Sequence, residues 1–338
     1  MCEKLSDGTE DCKIVRNPED HNAGNLENSI MAQYFRSAGE YADISRTTKP
    51  FECQTLGKHM RDLAKQYGYV ELPKCYGTFP EKKFPTSIND LISAHFVFPS
   101  FIKDAPQDQK LPIVLLGPGL FADPGLQDHM AELLAHHGFI GVPTSSSFNG
   151  FGEQFLAATI IADKANKDPN HPLHGRIDFS RLYMFGHSAS GDSALGMNGV
   201  LEREMKRTIP ELRVAGVVGM TPSVGDFYWH GLTGKAPTLF VEADMDHAAP
   251  FGLARWRYGL LDQPAWWTPV RGSRHNTEMD ATYNTSESGL TLAFLRFLEG
   301  DKEAATWFIG DDWKLPKDKA LYDVRRNAAA DALEAAPQ

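Results

Sequence analysis

Cysteine is absent after position 75. The four present, Cys2, Cys12, Cys53 and Cys75, crowd into the first quarter of a 338-residue chain. They contain no Cys-x-x-Cys pair, and the irregular spacing argues against a zinc framework. An even number confined to one segment reads as two disulfides stapling an N-terminal extension. Local loops close at least entropic cost, so the expected pairs are Cys2–Cys12 and Cys53–Cys75. Four reduced thiols in a cytosolic protein is the competing reading. Long apolar runs are missing as well, and no stretch of 18 residues is apolar enough to suggest a membrane span. Net positive charge is also lacking. The formal charge is −10, which argues against nucleic acid as a partner and reads as a solubility feature. No glycine-rich phosphate loop of Walker or dinucleotide type occurs, so no nucleotide cofactor is expected, and no metal either. The polar run Cys2–Asp11 lacks the apolar centre of a secretory leader. The cysteines therefore point to an extracellular or periplasmic mature chain without a signal peptide, with the cytoplasm as the alternative.

What is present suits a large packed core: 42% of residues are apolar and 11% aromatic. Residues 1–28 are polar and aperiodic. Short helices are predicted over Ser29–Ser37 and Leu56–Tyr67, and a strand over Ser93–Pro99. From Leu111 onward, short apolar runs alternate with amphipathic ones. Strands are predicted at Leu111–Leu116, Phe139–Pro143, Arg181–Phe185, Val214–Met220, Ala236–Val241 and Ala265–Val270. Helices are predicted at Asp128–His136, Phe155–Asp163 and near Phe251–Leu261, with an amphipathic closing helix at Leu290–Leu298. Lys164–Gly175 reads as a polar excursion. The alternation predicts an α/β fold, one doubly wound and mostly parallel sheet. The expected organisation is an extension over residues 1–89, a catalytic domain over 90–312, and a helical tail over 313–338. A monomer is expected.

One stretch concentrates chemistry. Arg181 to Phe185 reads as a strand, Gly186-His187-Ser188-Ala189 as a very tight turn, and the residues from Ser190 toward Met205 as an amphipathic helix. A serine at the apex of strand–turn–helix presents its hydroxyl at the top of the sheet, which is the build of a nucleophile elbow. Serine needs a base within hydrogen-bond reach, and the base needs a group that fixes its tautomer. In an open parallel sheet such groups gather beyond the carboxyl ends of strands. Ser188, Asp246 and His275 lie past three such ends, in the order Ser, acid, His. Ser190 competes as nucleophile, Glu242 and Asp244 as acid, His230 and His247 as base. Oxyanion donors are expected from the Ala189 N–H at the helix start and from Leu120, which Gly117-Pro118-Gly119 frees to turn sharply. Phe121, His187, Ser223 and Trp229 are candidate cleft residues.

Gly117-Pro118-Gly119-Leu120, Gly186-His187-Ser188-Ala189-Ser190-Gly191, the Pro237–Pro250 acid segment and Arg274-His275-Asn276 together resemble α/β-hydrolases. The nearest branch holds platelet-activating-factor acetylhydrolases and bacterial polyester hydrolases of cutinase type. The resemblance spans about residues 90–312. It implies a cofactor-free serine hydrolase of carboxylic esters working through an acyl-enzyme, with polyesters or short-chain acyl esters as substrates. A lipid-directed acetylhydrolase or lipase is the alternative, and a non-catalytic binding relative is the alternative of another class. The chain departs from the pattern at Ser190, where glycine is common. It departs again at Ser223, where polyester hydrolases usually carry a tryptophan that Trp229 would have to replace.

Overall fold

A computed structural model of the chain describes residues 2–4, 10–12, 29–35, 39–49, 58–59, 61–62, 93–146, 148–223, 234–249, 251–279 and 286–334. Its strands are β1 (Cys2–Lys4), β2 (Glu10–Cys12), β3 (Ile44–Arg46), β4 (Ser93–Ala94), β5 (Val97–Pro99) and β6 (Leu111–Gly117). They continue as β7 (Ile140–Ser145), β8 (Ile177–His187), β9 (Val214–Met220), β10 (Thr238–Ala243), β11 (Ala265–Val270) and β12 (Arg325–Arg326). The main sheet runs in the order β12-β11-β10-β9-β8-β6-β7-β5-β3, with β4 beside β7. Strands β7, β6, β8, β9, β10 and β11 are mutually parallel, while β3, β4, β5 and β12 pair antiparallel at the margins. This is the doubly wound, mostly parallel α/β architecture expected.

The sequence builds this sheet by hiding it on both faces. Strands β6, β7, β10 and β11 are buried at every residue, as near-continuous apolar strands must be when helices cover both sides. Alternate side chains then feed opposite cores. On β8, Leu182 and Met184 enter the layer with Phe155, Leu195 and Trp267. Tyr183 and Phe185 enter the other, with Met130, Leu134, Trp266 and Phe294. The indole N–H groups of Trp266 and Trp267 do not go wanting: they donate to Phe308 O (3.0 Å) and Glu242 Oε2 (2.8 Å).

The flanking helices are α1 (Asp128–His136), α2 (Glu153–Lys167), α3 (Ala189–Met197), α4 (Val200–Met205), α5 (Leu253–Tyr258), α6 (Ser286–Leu298) and α7 (Lys302–Phe308). Several sequence expectations need correction. The Ser93–Pro99 strand is broken, because His95 turns inward and its Nε2 faces Asp128 Oδ1 at 3.2 Å. Helix α2 runs on to Lys167: the polar residues after Asp163 occupy its solvent side while Ala165 packs inward. The run after the elbow is two helices, separated at Gly199, whose φ of +87° stops the first from continuing. Helix α6 is not amphipathic, since only Arg296 along it escapes burial. Its second face is covered partly by residues of the N-terminal extension, where Ile30 and Tyr34 join the same core. The Ile30 N–H donates to Asp318 Oδ2 (2.7 Å) and Trp307 Nε1 to Gln33 Oε1 (2.9 Å). Among its described residues, 313–334, the tail is helical over Leu315–Lys317 and Ala328–Asp331 alone. Between them β12 caps the sheet edge against β11.

Cys2 and Cys12 are cross-strand Cα partners in the β1–β2 pair, but their side chains lie outside what is described. The Cys53–Cys75 pairing and most of the Leu56–Tyr67 helix also lie outside the described residues. No described helix is long and apolar enough to cross a membrane.

Candidate active site

Because the central strands are parallel, their carboxyl ends share one edge of the sheet, and the candidate residues sit there. Ser188 follows β8 directly, with φ +53° and ψ −118°. That strained conformation for a serine is held by the backbone around it. The Ser188 N–H donates to Met220 O (3.0 Å), and its carbonyl accepts from Asp192 N and Ser223 N (both 3.1 Å). Gly186 is obligatory: a Cβ there would fall 2.0 Å from Ser190 O, so only glycine lets helix α3 pack this close to β8. Ser190, at the position where glycine is common, fits because Gly117 leaves room for it. A Cβ on Gly117 would lie 2.6 Å from Ser190 Oγ. That hydroxyl is fully buried, accepts from Gln154 Nε2 (3.1 Å) and donates to Asn149 O (3.3 Å). It is closed off from solvent by these partners.

His275 lies in the loop after β11. Its Nε2 is 2.8 Å from Ser188 Oγ, and its Nδ1 is 2.7 Å from Asp246 Oδ2. A carboxylate only accepts, so Nδ1 carries the proton, and Nε2 is left bare to accept from the serine hydroxyl. Asp246, in the loop after β10, is fixed by the N–H groups of Ala248 (2.7 Å) and Ala249 (2.9 Å) on Oδ1. Burial pushes its carboxyl up. The hydrogen bonds and charge from His275 and these backbone donors outweigh that and hold it below the usual carboxylate range. The competing acids are engaged elsewhere. Glu242 accepts from Trp267 Nε1 and from Gly252 N, and Asp244 borders the Gly272–Ser273 backbone. His247 is exposed. His230 and Trp229 lie outside the described residues.

His187 is not in an open cleft. It is 1% exposed, and its Nε2 donates to the His275 carbonyl at 2.5 Å. Thr221 Oγ1 donates to the same oxygen at 3.3 Å. Burial, with the neighbouring His275, pushes the His187 imidazole down to about 3, so it is neutral. Behind it, Glu278 is raised well above the usual range by burial and by Glu287.

Leu120 and Phe121 form the middle of a turn closed by Ala122 N donating to Gly119 O (3.2 Å). Gly119 backs onto the elbow: a Cβ there would sit 3.4 Å from Ser188 Cβ. Phe121 holds φ +55°, where glycine is usual in such turns. Leu120, Phe121 and Phe151 are exposed, and Phe148 bridges the two phenylalanines, edge-on to Phe121 at 5.8 Å and stacked on Phe151 at 4.9 Å. They make an apolar cluster that begins at the turn packed against the serine. Ser223 is half-buried, and its N–H is spent on the Ser188 carbonyl.

Sequence reasoning missed several residues here. Asn149 and Gln154 lie behind the Gly119–Ala122 turn. The only signal at Asn149 was its Ser-, Asn- and Gly-rich loop. Asp192, in the first turn of α3, forms a buried ion pair with Arg257 of α5. Arg61, from the extension, pairs with Asp123 three residues past Leu120 (Nη2 to Oδ1, 3.2 Å). No local pattern announces such long-range pairs.

No protein-family model matches the chain. It is similar to "Cutinase est1" of Thermobifida alba, 28% identical over 139 residues, covering 40% of this chain and 43% of that protein. The same identity and length relate it to "Cutinase 2" of Thermobifida cellulosilytica, over 48% of that protein, and to "Cutinase cut1" of Thermobifida fusca, over 40%. The match thus spans less than half the length of these relatives.

Proposed function

Because the chain is an α/β-hydrolase similar to bacterial cutinases, we propose that it hydrolyses carboxylic esters with Ser188 as the nucleophile. The observation that carries this reading is the continuous series Ser188 Oγ–His275 Nε2 at 2.8 Å and His275 Nδ1–Asp246 Oδ2 at 2.7 Å. Ser188 Oγ attacks the acyl carbon as its proton passes to His275 Nε2. Asp246 keeps the imidazole in the receptive tautomer and stabilises the imidazolium. The Leu120 and Ala189 N–H groups hold the oxyanion as the C–O π bond opens. Collapse of the intermediate breaks the ester C–O bond, and the leaving alkoxide takes the proton from His275. Water, deprotonated by His275, then releases the acid from the acyl-enzyme.

The cluster of Leu120, Phe121 and Phe151 favours substrates with an apolar acyl or polymer segment beside the scissile bond. Short-chain acyl esters and polyesters are the proposed classes. A location outside the cytoplasm is also proposed, resting on the crowding of the cysteines into the first 75 residues.

A fluorophosphonate, with the adduct mapped by mass spectrometry, tests the assignment together with kcat and KM on p-nitrophenyl acetate and butyrate. Ser188 is the expected site of labelling. Asp246→Asn should lower kcat by about 10⁴ by disturbing the tautomer, while Asp244→Asn stays near wild type. Labelling elsewhere would overturn the nucleophile assignment, and absence of both labelling and turnover would favour a binding protein. A preference rising steadily with acyl length on micellar substrates would favour the lipid-directed alternative.

A further inference from the structure

We infer that Asn149 is the positioning residue of the oxyanion loop, joining that loop to the helix that carries the nucleophile. The inference rests on the reading of Ser188 and Leu120 given above.

Asn149 is fully buried in the loop between β7 and α2, at φ +62°, a conformation asparagine tolerates better than most side chains. Its side-chain amide is spent to capacity. Nδ2 donates to Gly119 O (2.8 Å) and to Ala122 O (2.9 Å), and Oδ1 accepts from Ser146 N (2.6 Å) and Ser146 Oγ (3.4 Å). The two donor bonds grip the first and last residues of the turn that holds Leu120.

The bond to Gly119 O has a specific consequence. That oxygen and the Leu120 N–H belong to one planar trans peptide unit, on opposite sides of it. Fixing the direction of the carbonyl therefore fixes the direction of the Leu120 N–H, away from Asn149. Gly119 itself packs against Ser188. Donation to the carbonyl also withdraws density from the amide and strengthens its N–H as a donor.

The main chain of Asn149 faces the other way, toward helix α3. Its carbonyl accepts from Gln154 Nε2 (3.0 Å), Ser193 Oγ (3.2 Å) and Ser190 Oγ (3.3 Å). Gln154 Nε2 also reaches Ser190 Oγ and Ser193 Oγ (both 3.1 Å). One residue thus ties the first turns of α3, which supply the Ala189 donor, to the turn that supplies the Leu120 donor. The separation of the two donors is set through Asn149. Ser190, which departs from the common glycine, is part of that tie.

Two variants remove the grip while sparing the backbone. Asn149→Gly keeps a residue suited to positive φ. Asn149→Asp keeps the shape and the Oδ1 acceptor but loses both donors. Each should lower kcat on p-nitrophenyl acetate by roughly 10–10², with KM within about threefold, because the lost interaction matters to the oxyanion. The pH midpoint of kcat should not move in Asn149→Gly, since base and acid are untouched. Amide exchange in a peptide spanning 119–122 should accelerate in both. Gln154→Met, which loosens only the tie behind the Asn149 carbonyl, should show a smaller kcat loss with the same unmoved KM, and it serves if the Asn149 variants fold poorly. Wild-type kcat in the folded variants, or a loss carried wholly by KM, would overturn the inference while leaving Ser188 labelling intact. A wild-type chain that a fluorophosphonate does not label at Ser188 would overturn the site reading, and the inference with it.

Discussion

Replacing Arg257 with methionine should cost this protein several kilocalories per mole, and the cost should depend on pH. Asp192 lies in the first turn of α3, four residues past Ser188, with a side chain 2% exposed; Arg257, on α5, is 12% exposed and pairs with it. Taking both charges out of water is expensive, and each makes the other tolerable. Removing one partner of such a buried pair leaves a bare charge inside the protein, at a cost of about 3–5 kcal/mol. For a chain of this size that lowers Tm by roughly 4–7 °C. In the variant, a bare carboxylate out of water is relieved by taking up a proton, which the unfolded chain releases at neutral pH. The deficit relative to wild type is then full at neutral pH and shrinks as pH falls toward about 4. Asp192→Asn in the Arg257→Met background removes the second charge and should recover most of the lost stability. Thermal unfolding followed by circular dichroism at several pH values, on the wild type, both singles and the double, completes the cycle. Equal stability of Arg257→Met and the double variant would refute the argument, as would a deficit that does not change with pH.

Gly186→Ala should lower Ser188 labelling and turnover by roughly tenfold or more, because its Cβ would meet the Ser190 carbonyl at 2.0 Å and only a shift of α3 relieves it. Fluorophosphonate kinetics read this, and a wild-type labelling rate would contradict the elbow geometry. Glu278→Gln should flatten the pH dependence of stability. Burial and the nearby Glu287 raise the Glu278 carboxyl, so its folded form keeps a proton that the unfolded chain loses above about 4.3. Its contribution is present at low pH and is lost as pH rises through the unfolded value toward the folded one. The wild type should therefore lose up to about 1.4 kcal/mol per pH unit more than Glu278→Gln across that window. Parallel Tm-against-pH curves for the two proteins would contradict this.

The central sheet was legible because its signal is local. Burial on both faces demands unbroken apolar runs, and Val214–Met220 and Ala265–Val270 end where their composition changes. Helix Asp128–His136 likewise coincides with its apolar period and stops before Gly138. Helix α6 misled, because part of what covers its second face, Ile30 and Tyr34, comes from about 260 residues away in sequence, beyond any periodicity. Ser188 could be singled out for the same local reason: strand, glycine turn and helix in succession leave a single apex residue.

By itself the sequence determined the order of the six central parallel strands, the elbow serine, and the short set of acids and histidines that could serve it. Each of these follows from residue type and short-range spacing. Tertiary structure alone decided which acid faces His275, because Glu242 at the end of β10 and Asp244 and Asp246 just beyond it lie within five residues, and only the path of the backbone sets where each carboxylate goes. It also decided that His187 supports the His275 main chain from behind and that Asn149 joins the Gly119–Ala122 turn to helix α3. Hydrogen bonds of that kind depend on directions and on distances of about 3 Å between segments far apart in the chain. Only the folded sheet, with its strand ends gathered on one edge, brings those segments within reach.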